Sequence, residues 1–304
     1  MPILKVQLNH PGIQKNFKIG SGYLRIGNHI IREWNCDRSH YRKFLLNHGL
    51  YIDDINDINP KVADLYFWGE WEGNSFFDPF INHNYIVLPN GINKPFHSIV
   101  IRGTQNTDPY VFGDYFKYCT CKQSSNMCNL DPGSVIIFGS AFPTLNKFYI
   151  DTVFVINYRN TAINVNANRG TGYSQTYKEE TLEQLQEYLG VPFIATNKKL
   201  YHSQTWWDNK KYFSYVPCKL EHDGNGFERL YIYLNDPLFN LSDNPTGKSY
   251  LRNCNLSPMD LWHEIVNKAK EQKFKLGLRF DEPTRSSVLN GVSNKNNNQS
   301  VKKE

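Results

Sequence analysis

Two short runs of this chain are apolar at every position, and they constrain its fold more than any other feature. They are Val135 to Phe138 and Val153 to Ile156. Side chains on a strand alternate between the two faces of a sheet, so a strand that is apolar at consecutive positions has to be covered on both sides. The two runs therefore predict strands at the centre of a layered core.

Further strand signals surround these runs between about Asp64 and Tyr158. Aromatic residues make up 14% of the chain, with 19 Tyr, 19 Phe and 6 Trp, and this composition favours strands over a helical bundle. Turns containing Gly, Pro or Asn separate the aromatic and β-branched segments. We therefore predict an α+β fold, in which a mostly antiparallel, partly closed β-sheet core over 64–158 carries peripheral helices.

The length and the C-terminal composition predict the domain organisation. A chain of 304 residues can form one large domain or two moderate ones. We predict a single globular domain over 1–283, with helical and hairpin additions over 159–283. Residues 284–304 are polar, rich in Asn and nearly free of large apolar side chains, which predicts a disordered tail.

Three helices and one hairpin are predicted by local signals. Ser39 to Gly49 combines a capping Ser, apolar residues on one face and a terminal Gly. Thr176 to Leu189 begins with the spacing of a capping box, and Ser257 to Ala269 begins with a cap, a Pro and an acid in the favoured order. Two apolar segments, 212–220 and 227–234, flank an Asp-Gly-Asn-Gly loop, which predicts a hairpin.

The charge and the N-terminus bear on location and partners. The net charge is +5, but the tail from Thr284 supplies +3 of it, so nucleic acid is permitted by the charge and not indicated by it. No run approaches the roughly 20 apolar residues that span a bilayer. The first residues, Met1 to Val6, lack the pattern of a signal peptide. We therefore predict a cytoplasmic protein with no membrane partner.

Three cysteines that are close in sequence are candidate metal ligands. Cys119 and Cys121 form a C-x-C pair that is followed only by Cys128. Tetrahedral zinc sites usually contain a second pair or a histidine at ligand spacing, and this segment has neither. We expect reduced thiols and assign no metal ligand.

The segment from Asp64 to Glu72 carries the most unusual chemistry. If it is a strand, Leu65, Phe67 and Trp71 pack inward, and the opposite face carries Asp64, Tyr66, Trp68, Glu70 and Glu72. Acids this close raise one another's proton affinity, which suits acid–base catalysis or metal binding. Aromatic rings beside acids also suit a planar ligand with donor edges, such as a nucleobase. The alternative is a strand face whose acids pair with Lys or Arg.

A second candidate segment is the polar loop from Arg102 to Asp114. It follows a strand signal, and polar loops that leave the end of a core strand are common ligand sites. Asn106, Thr107 and Asp108 together offer an amide, a hydroxyl and a carboxylate. The alternative is an ordered turn in which Asn and Asp bond their own backbone.

Three segments together resemble known families: Phe67 to Glu72, Asn106 to Pro109, and Pro132 to Ser134. They are similar to the barrel strands of PUA-like and EVE-like modules, and to nucleotide-modification-associated domains of prokaryotic and phage gene neighbourhoods. The resemblance covers about a third of the chain. It implies a small barrel that recognises a nucleotide or a modified base, in a setting of DNA modification or phage defence.

We therefore favour a binding module that recognises a nucleotide or a modified base in nucleic acid. In this hypothesis aromatic side chains stack on the base, at about 1–3 kcal/mol per base, and a basic side chain meets phosphate. The predicted ligand-binding residues are Tyr66, Trp68, Arg102, Asn106, Thr107 and Lys122.

Two other functions stay open. No cofactor is assigned to any of the three functions. The first is a metal-dependent enzyme that acts on nucleotides or nucleic acid, with a divalent metal ion and with Glu70, Glu72 and Asp108 as catalytic residues. The second is a protein-interaction or structural protein, in which substitutions at these positions affect only stability. The oligomeric state is not predicted.

Overall fold

The computed structural model of the chain describes residues 3–9, 23–32, 42–81, 87–97, 107–119, 125–160, 173–183 and 199–286. One sheet contains seven strands: β1 (Lys5–Asn9), β8 (Lys117–Tyr118), β9 (Val135–Phe142), β10 (Lys147–Asn160), β11 (Leu200–Ser203), β13 (Leu230–Tyr233) and β14 (Gly247–Tyr250). The other contains eight: β2 (Tyr23–Ile26), β3 (His29–Arg32), β4 (Lys43–Ile52), β5 (Lys61–Gly69), β6 (Ser75–Pro79), β7 (Gly91–Pro95), β12 (Val216–Lys219) and β15 (Lys275–Phe280).

Helices are few among the described residues. The short helix α1 (Gln175–Tyr177) continues as a π-helical turn (Lys178–Leu182), and α2 (Pro258–Glu271) has 14 residues. Two 3-10 turns lie at Ser125–Asn129 and Pro143–Leu145. The structure therefore confirms a largely antiparallel, partly closed β architecture, and its helical content is smaller than the predicted α+β class suggests.

The larger sheet closes on itself through β15. This strand pairs with β12 on one side and with β4 on the other, so β4, β5, β12 and β15 form a closed four-strand barrel. Gly49 of β4 lies opposite Phe280 of β15, and a Cβ at Gly49 would lie only 2.3 Å from the carbonyl oxygen of Arg279. The absence of a side chain at Gly49 is what allows the two strands to approach there.

The smaller sheet is covered on both faces, as the two apolar runs predict. It is ordered β14-β1-β9-β10-β11-β8, with β13 also paired to β10. Val135 and Ile137 of β9 lie in one hydrophobic core, whereas Ile136 and Phe138 lie in the other, and all four are fully buried. The amphipathic helix α2 packs its apolar side into the first of these cores.

The alternation predicted along β5 is confirmed, but both faces of its second half are covered. Leu65 and Phe67 lie in one core with Trp71, and Trp68 lies in the other core with Tyr66 packed against it. The face that carries the predicted ligand-binding rings is therefore interior at Trp68 and half-buried at Tyr66, whereas Asp64 on the same face is exposed. A pattern of mixed aromatic and charged residues does not distinguish a solvated face from a buried face whose charges are paired.

Two predicted elements are wrong. The described part of the predicted helix over 39–49 lies in strand β4 and at its start. Consecutive side chains of β4 enter different cores, Phe44 the one and Leu45 the other. The predicted hairpin has both of its strands, but β12 pairs with β5 and β15, whereas β13 pairs with β10. The loop between them is thus a crossover between sheets, because each strand completes a different sheet.

The predictions for the other helices and the tail have mixed outcomes. Helix α2 begins as predicted, with the Ser257 hydroxyl accepting from the Asp260 N–H. The cap of α1 is Ser174 rather than Thr176, and the continuation to Leu189 lies outside the described residues. The described chain ends at Ser286, so 287–304 lie outside it, and the carbonyl of Thr284 accepts from the His97 N–H at 2.9 Å.

Candidate functional site

The predicted acid Glu70 belongs to a buried ion-pair network between the two sheets. Its carboxylate lies 2.6 Å from Nη1 of Arg42, and Arg42 Nε lies 2.9 Å from Asp151 of β10. Asp151 also pairs with Arg229 at 3.3 Å. All four side chains are at most 3% exposed. The network neutralises charges that would be very costly to bury alone.

Glu72 and Asp108 are also fully buried and have partners. Lys43 lies 3.1 Å from Glu72, and burial lowers the pKa of Lys43 although the charge of Glu72 raises it. The Glu72 N–H donates to the Thr107 hydroxyl at 2.9 Å, so two predicted site residues do meet. The Cys119 N–H donates to the Asp108 carboxylate at 2.9 Å. These contacts correspond to the pairing alternative for the acids. In the loop, Thr107 and Asp108 accept from the backbone of distant residues and not from their own turn.

No group of three or more His, Cys, Asp or Glu side chains among the described residues is arranged to hold a metal ion. Cys119 is buried, Cys128 is half-buried, and neither is in a disulfide. Cys121 lies outside the described residues, and so do three predicted ligand-binding residues: Arg102, Asn106 and Lys122.

The predicted rings Trp68 and Tyr66 support the loop that follows β12. Trp68 is 2% exposed, and its Nε1–H donates to the carbonyl of Phe227 at 2.9 Å. Tyr66 is half-buried, and its ring meets the ring of His222 nearly edge-on at 4.7 Å. Both contacts fix the crossover loop over 220–227. Strand β5 therefore contributes to a candidate site through the loop that it supports.

This loop forms one wall of an open cleft of about 610 Å³, which we call the lysine cleft. The end of β12, the segment after α2 and the start of β15 form the rest of it. Its lining residues are Lys219, Leu220, Glu221, His222, Asp223, Gly226, Phe227, Lys273 and Lys275. The volume is within the range of small-molecule sites, about 300–1,000 Å³.

Two ammonium groups of the lysine cleft have no carboxylate partner among the described residues. Lys275 pairs with Asp53, but no such pair involves Lys219 or Lys273. The Lys219 ammonium lies over the rings of Phe227 and Phe274, at 5.0 and 4.6 Å. Burial lowers the pKa of Lys219, and the positive charge of Lys273 lowers it further. The negative charge of an anion placed between the two lysines would act in the opposite direction and raise the pKa of Lys219 again.

His222 adds a donor to the same cleft. The Gly224 N–H donates to Nδ1 of His222 at 3.0 Å, which requires Nδ1 to be an acceptor. The neutral imidazole then carries its proton on Nε2. Nε2 has no hydrogen-bond partner among the described residues, so its N–H is available to a ligand.

The shape of the loop depends on Gly226. Its φ is +75°, a left-handed conformation that residues with a Cβ rarely adopt. A Cβ at this position would also lie 2.2 Å from a ring carbon of Pro89. The loop can therefore pack against the Pro89 segment only with glycine here.

Sequence reasoning missed Lys219, His222 and Lys273. The lysines are separated by 54 positions, and only the pairing of β12 with β15 brings their segments together. One signal was present: the Asp-Gly-Asn-Gly loop that follows Lys219 to His222 is a polar, glycine-rich loop leaving a core strand. The two apolar segments that flank this loop predict a hairpin turn instead of a ligand-binding loop.

Comparisons with protein-family models, curated proteins and solved structures found no match to this chain. None of the helices in the described part of the chain has the length and apolar character needed to cross a membrane.

Proposed function

We propose that this protein binds a nucleotide, free or as part of a nucleic acid, in the lysine cleft. The observation that carries the proposal is the convergence of Lys219, Lys273 and the Nε2–H of His222, none of which has an acidic partner among the described residues. Phosphate is the part of a nucleotide that such a set of donors binds.

The phosphate group lies between the two ammonium groups in this proposal. A doubly charged phosphate offsets the mutual repulsion of Lys219 and Lys273, which already lowers the pKa of Lys219. Lys219 is held over Phe227 and Phe274 by cation–π contacts and therefore loses little further freedom on binding. The exposed Lys273 and the Nε2–H of His222 complete the set.

The rest of the cleft suits the sugar and the base. Glu221 and Asp223 are exposed carboxylates at its rim, and they can accept hydrogen bonds from ribose hydroxyls or from the amino group of a base. Phe227 offers an apolar surface beneath them. The cleft thus combines carboxylates with an aromatic ring, on residues other than those that the sequence predicts.

The resemblance to PUA-like and EVE-like modules supports the same ligand class. Those modules are small barrels, and a closed four-strand barrel carries one wall of the lysine cleft through β12 and β15. Of the segments behind the resemblance, Phe67 lies on β5 of the barrel, whereas Pro132 to Ser134 form the turn that leads into β9 of the other sheet.

The test measures the affinity of the full chain for labelled single- and double-stranded DNA and RNA, with free nucleotides as competitors, across a range of salt. We expect the double variant Lys219→Gln/Lys273→Gln to lose about tenfold in affinity per lysine, which corresponds to about 1.4 kcal/mol each. The salt dependence should also decrease, by about one phosphate contact per lysine.

The matched control is Lys94→Gln, which removes a charge from β7 where the lysine already pairs with Asp78 at 2.9 Å. It should bind like the parent protein. If the double variant binds as tightly as the parent, or if Lys94→Gln weakens binding equally, the lysine cleft is not the site. Absence of binding to every nucleotide and nucleic acid would leave the interaction protein as the remaining hypothesis.

A further inference from the structure

A second pocket, of about 360 Å³, lies at the other end of β15 from the lysine cleft. We call it the aromatic pocket and define it by six lining residues: Tyr115, Tyr158, Trp207, Asp114, Asp208 and Arg279. Arg279 is four positions after Lys275 on β15, so the two sites are separated by about 13 Å along the strand.

Two large rings of the aromatic pocket are unusually exposed. Trp207 is 49% exposed and Tyr158 is 44% exposed. One face of Tyr158 stacks on His202 at 4.2 Å with an interplanar angle of 8°, and the buried His202 stacks in turn on Tyr173. The stack of Tyr158, His202 and Tyr173 holds the Tyr158 ring in place. The exposed part of this ring is therefore fixed in position.

A carboxylate is fixed beside these rings. Oδ2 of Asp208 accepts from the backbone N–H of Thr205 at 3.0 Å, from its hydroxyl at 2.7 Å and from the amide of Asn157 at 3.3 Å. Oδ1 has no partner among the described residues. The negative charge of Asp208 also acts on Tyr158, since it adds to the rise in pKa that burial causes in that hydroxyl. The free oxygen is thus held close to an aromatic ring.

The charge of the aromatic pocket is opposite to that of the lysine cleft. Its one cation, Arg279, lies 3.5 Å from Asp114 and 4.0 Å from Asp281, and is neutralised by them. Asp208 is left with no basic partner among the described residues. A phosphate would therefore be repelled here, whereas a positively charged group would be attracted.

We propose that the aromatic pocket binds an alkylated ammonium group. The faces of Tyr158 and Trp207 attract a cation through the negative face of the ring, and the carboxylate of Asp208 supplies the counter-charge. Methyl groups on the nitrogen gain from contact with the rings and lower the cost of removing the cation from water. The site is independent of the proposed nucleotide site.

The same chemistry already holds an ammonium group of this chain next to the pocket. The Lys117 ammonium, 3% exposed, lies 4.8 Å from the centre of the Tyr115 ring, 5.0 Å from Tyr110 and 4.9 Å from Tyr177. Tyr115 also lines the aromatic pocket. Burial lowers the pKa of Lys117 to about 8, so these tyrosine faces offset only part of the cost of burying one cation. The aromatic pocket offers further faces to a second cation, which comes from solvent and stays partly exposed to it.

The test is calorimetric titration of the full chain with tetramethylammonium, choline and an N-trimethyllysine peptide. The control ligand is 3,3-dimethylbutan-1-ol, which has the shape of choline without its charge. We expect the cations to bind saturably and the neutral alcohol to bind at least about tenfold more weakly. A preference for the peptide or for choline would distinguish a modified protein side chain from a choline headgroup as the source.

Two variants locate the site. Trp207→Ala removes a ring, and Asp208→Asn removes the charge while it keeps the size of the side chain. Each should weaken cation binding by about fivefold or more. Tyr233→Ala, at a tyrosine that is 50% exposed elsewhere on the surface, should leave it unchanged. The proposal is overturned if no cation binds, if the alcohol binds equally well, or if both site variants bind like the parent. Unchanged far-UV circular dichroism and a cooperative urea unfolding transition would confirm that each variant is folded.

Discussion

The buried ion-pair network and the lysine cleft contain the same kinds of side chain in opposite settings. In the network, the guanidinium groups of Arg42 and Arg229 and the carboxylates of Glu70 and Asp151 are excluded from solvent and balance one another. In the cleft, Lys219 and Lys273 are accessible and have no carboxylate partner among the described residues. The difference shows that residue type alone does not indicate a ligand site. Whether a charge is already balanced within the fold decides whether a ligand can gain from it.

This comparison predicts opposite consequences for substitutions in the two regions. Removal of one partner from a buried pair leaves an uncompensated charge in a medium of low polarity. Removal of a charge at an open cleft leaves nothing uncompensated, because water solvates what remains. Stability should therefore depend on the network, and ligand affinity should depend on the cleft.

The largest expected effect is that of Asp151→Ala. Asp151 pairs with both Arg42 and Arg229, so its loss leaves two buried guanidinium groups with Glu70 as the one remaining carboxylate of the network. We expect the free energy of unfolding to fall by about 3–5 kcal/mol, measured by urea denaturation. Asp243→Ala, at an exposed aspartate, is the control and should change it by less than about 0.5 kcal/mol. Equal effects would show that the network does not stabilise the fold.

A second effect concerns pH and the buried ring of His202. Burial, together with a smaller effect of the nearby charge of Lys117, lowers its pKa to about 3. Between pH 6.5 and 3 the unfolded chain therefore binds a proton that the folded chain does not, so stability falls as the pH falls through this window. One such group contributes about 1.4 kcal/mol per pH unit.

The check is the pH dependence of the free energy of unfolding in the parent and in His202→Phe, which keeps an aromatic ring against Tyr158. The slope between pH 6 and pH 4 should be smaller in the variant by about 1.4 kcal/mol per pH unit. Identical slopes in the two proteins would mean that His202 titrates normally in the folded state.

A third prediction tests whether β5 supports the lysine cleft from beneath. Trp68→Phe keeps an apolar ring but loses the hydrogen bond to the carbonyl of Phe227. We expect a loss of stability of about 1 kcal/mol and weaker nucleotide binding, because the loop that carries His222 is less firmly held. The control is Trp206→Phe, at a ring of comparable burial outside the cleft. It should leave nucleotide affinity unchanged, and equal losses of affinity would contradict a specific role for Trp68.

The sequence predicts the parts of this fold that depend on local pattern. The apolar runs in β9 and β10, the alternation along β5 and the cap of α2 at Ser257 follow from nearest neighbours in the chain. The closure of the barrel does not, because β4 and β15 are more than 200 positions apart. The helix expected over 39–49 failed for the same reason, since Gly49 serves a close strand contact and does not end a helix.

The candidate site was predictable only in its chemistry. Acids and rings were expected together over Asp64 to Glu72. The structure places Glu70 and Glu72, just after β5, in buried pairs, while the accessible acids and lysines of the cleft lie on β12, its loop and the segment that leads into β15. Which strand face is solvated depends on what packs against it. That packing comes from Phe227 and its neighbours, about 160 positions away from Trp68 in the chain.

The smallest expected effect is also the one that separates the two regions most directly. Burial lowers the pKa of Lys219, which means that the folded state disfavours its charge relative to the unfolded state. Lys219→Met keeps the length of the side chain and its contact with the rings of Phe227 and Phe274. The variant should therefore be slightly more stable than the parent, by about 0.5 kcal/mol in urea denaturation, while its nucleotide affinity falls. A lysine kept at some expense of stability is what a phosphate-binding role requires. If Lys219→Met is instead less stable by about 1 kcal/mol or more, the ammonium group stabilises the fold through the rings, and the contrast between the cleft and the ion-pair network no longer holds.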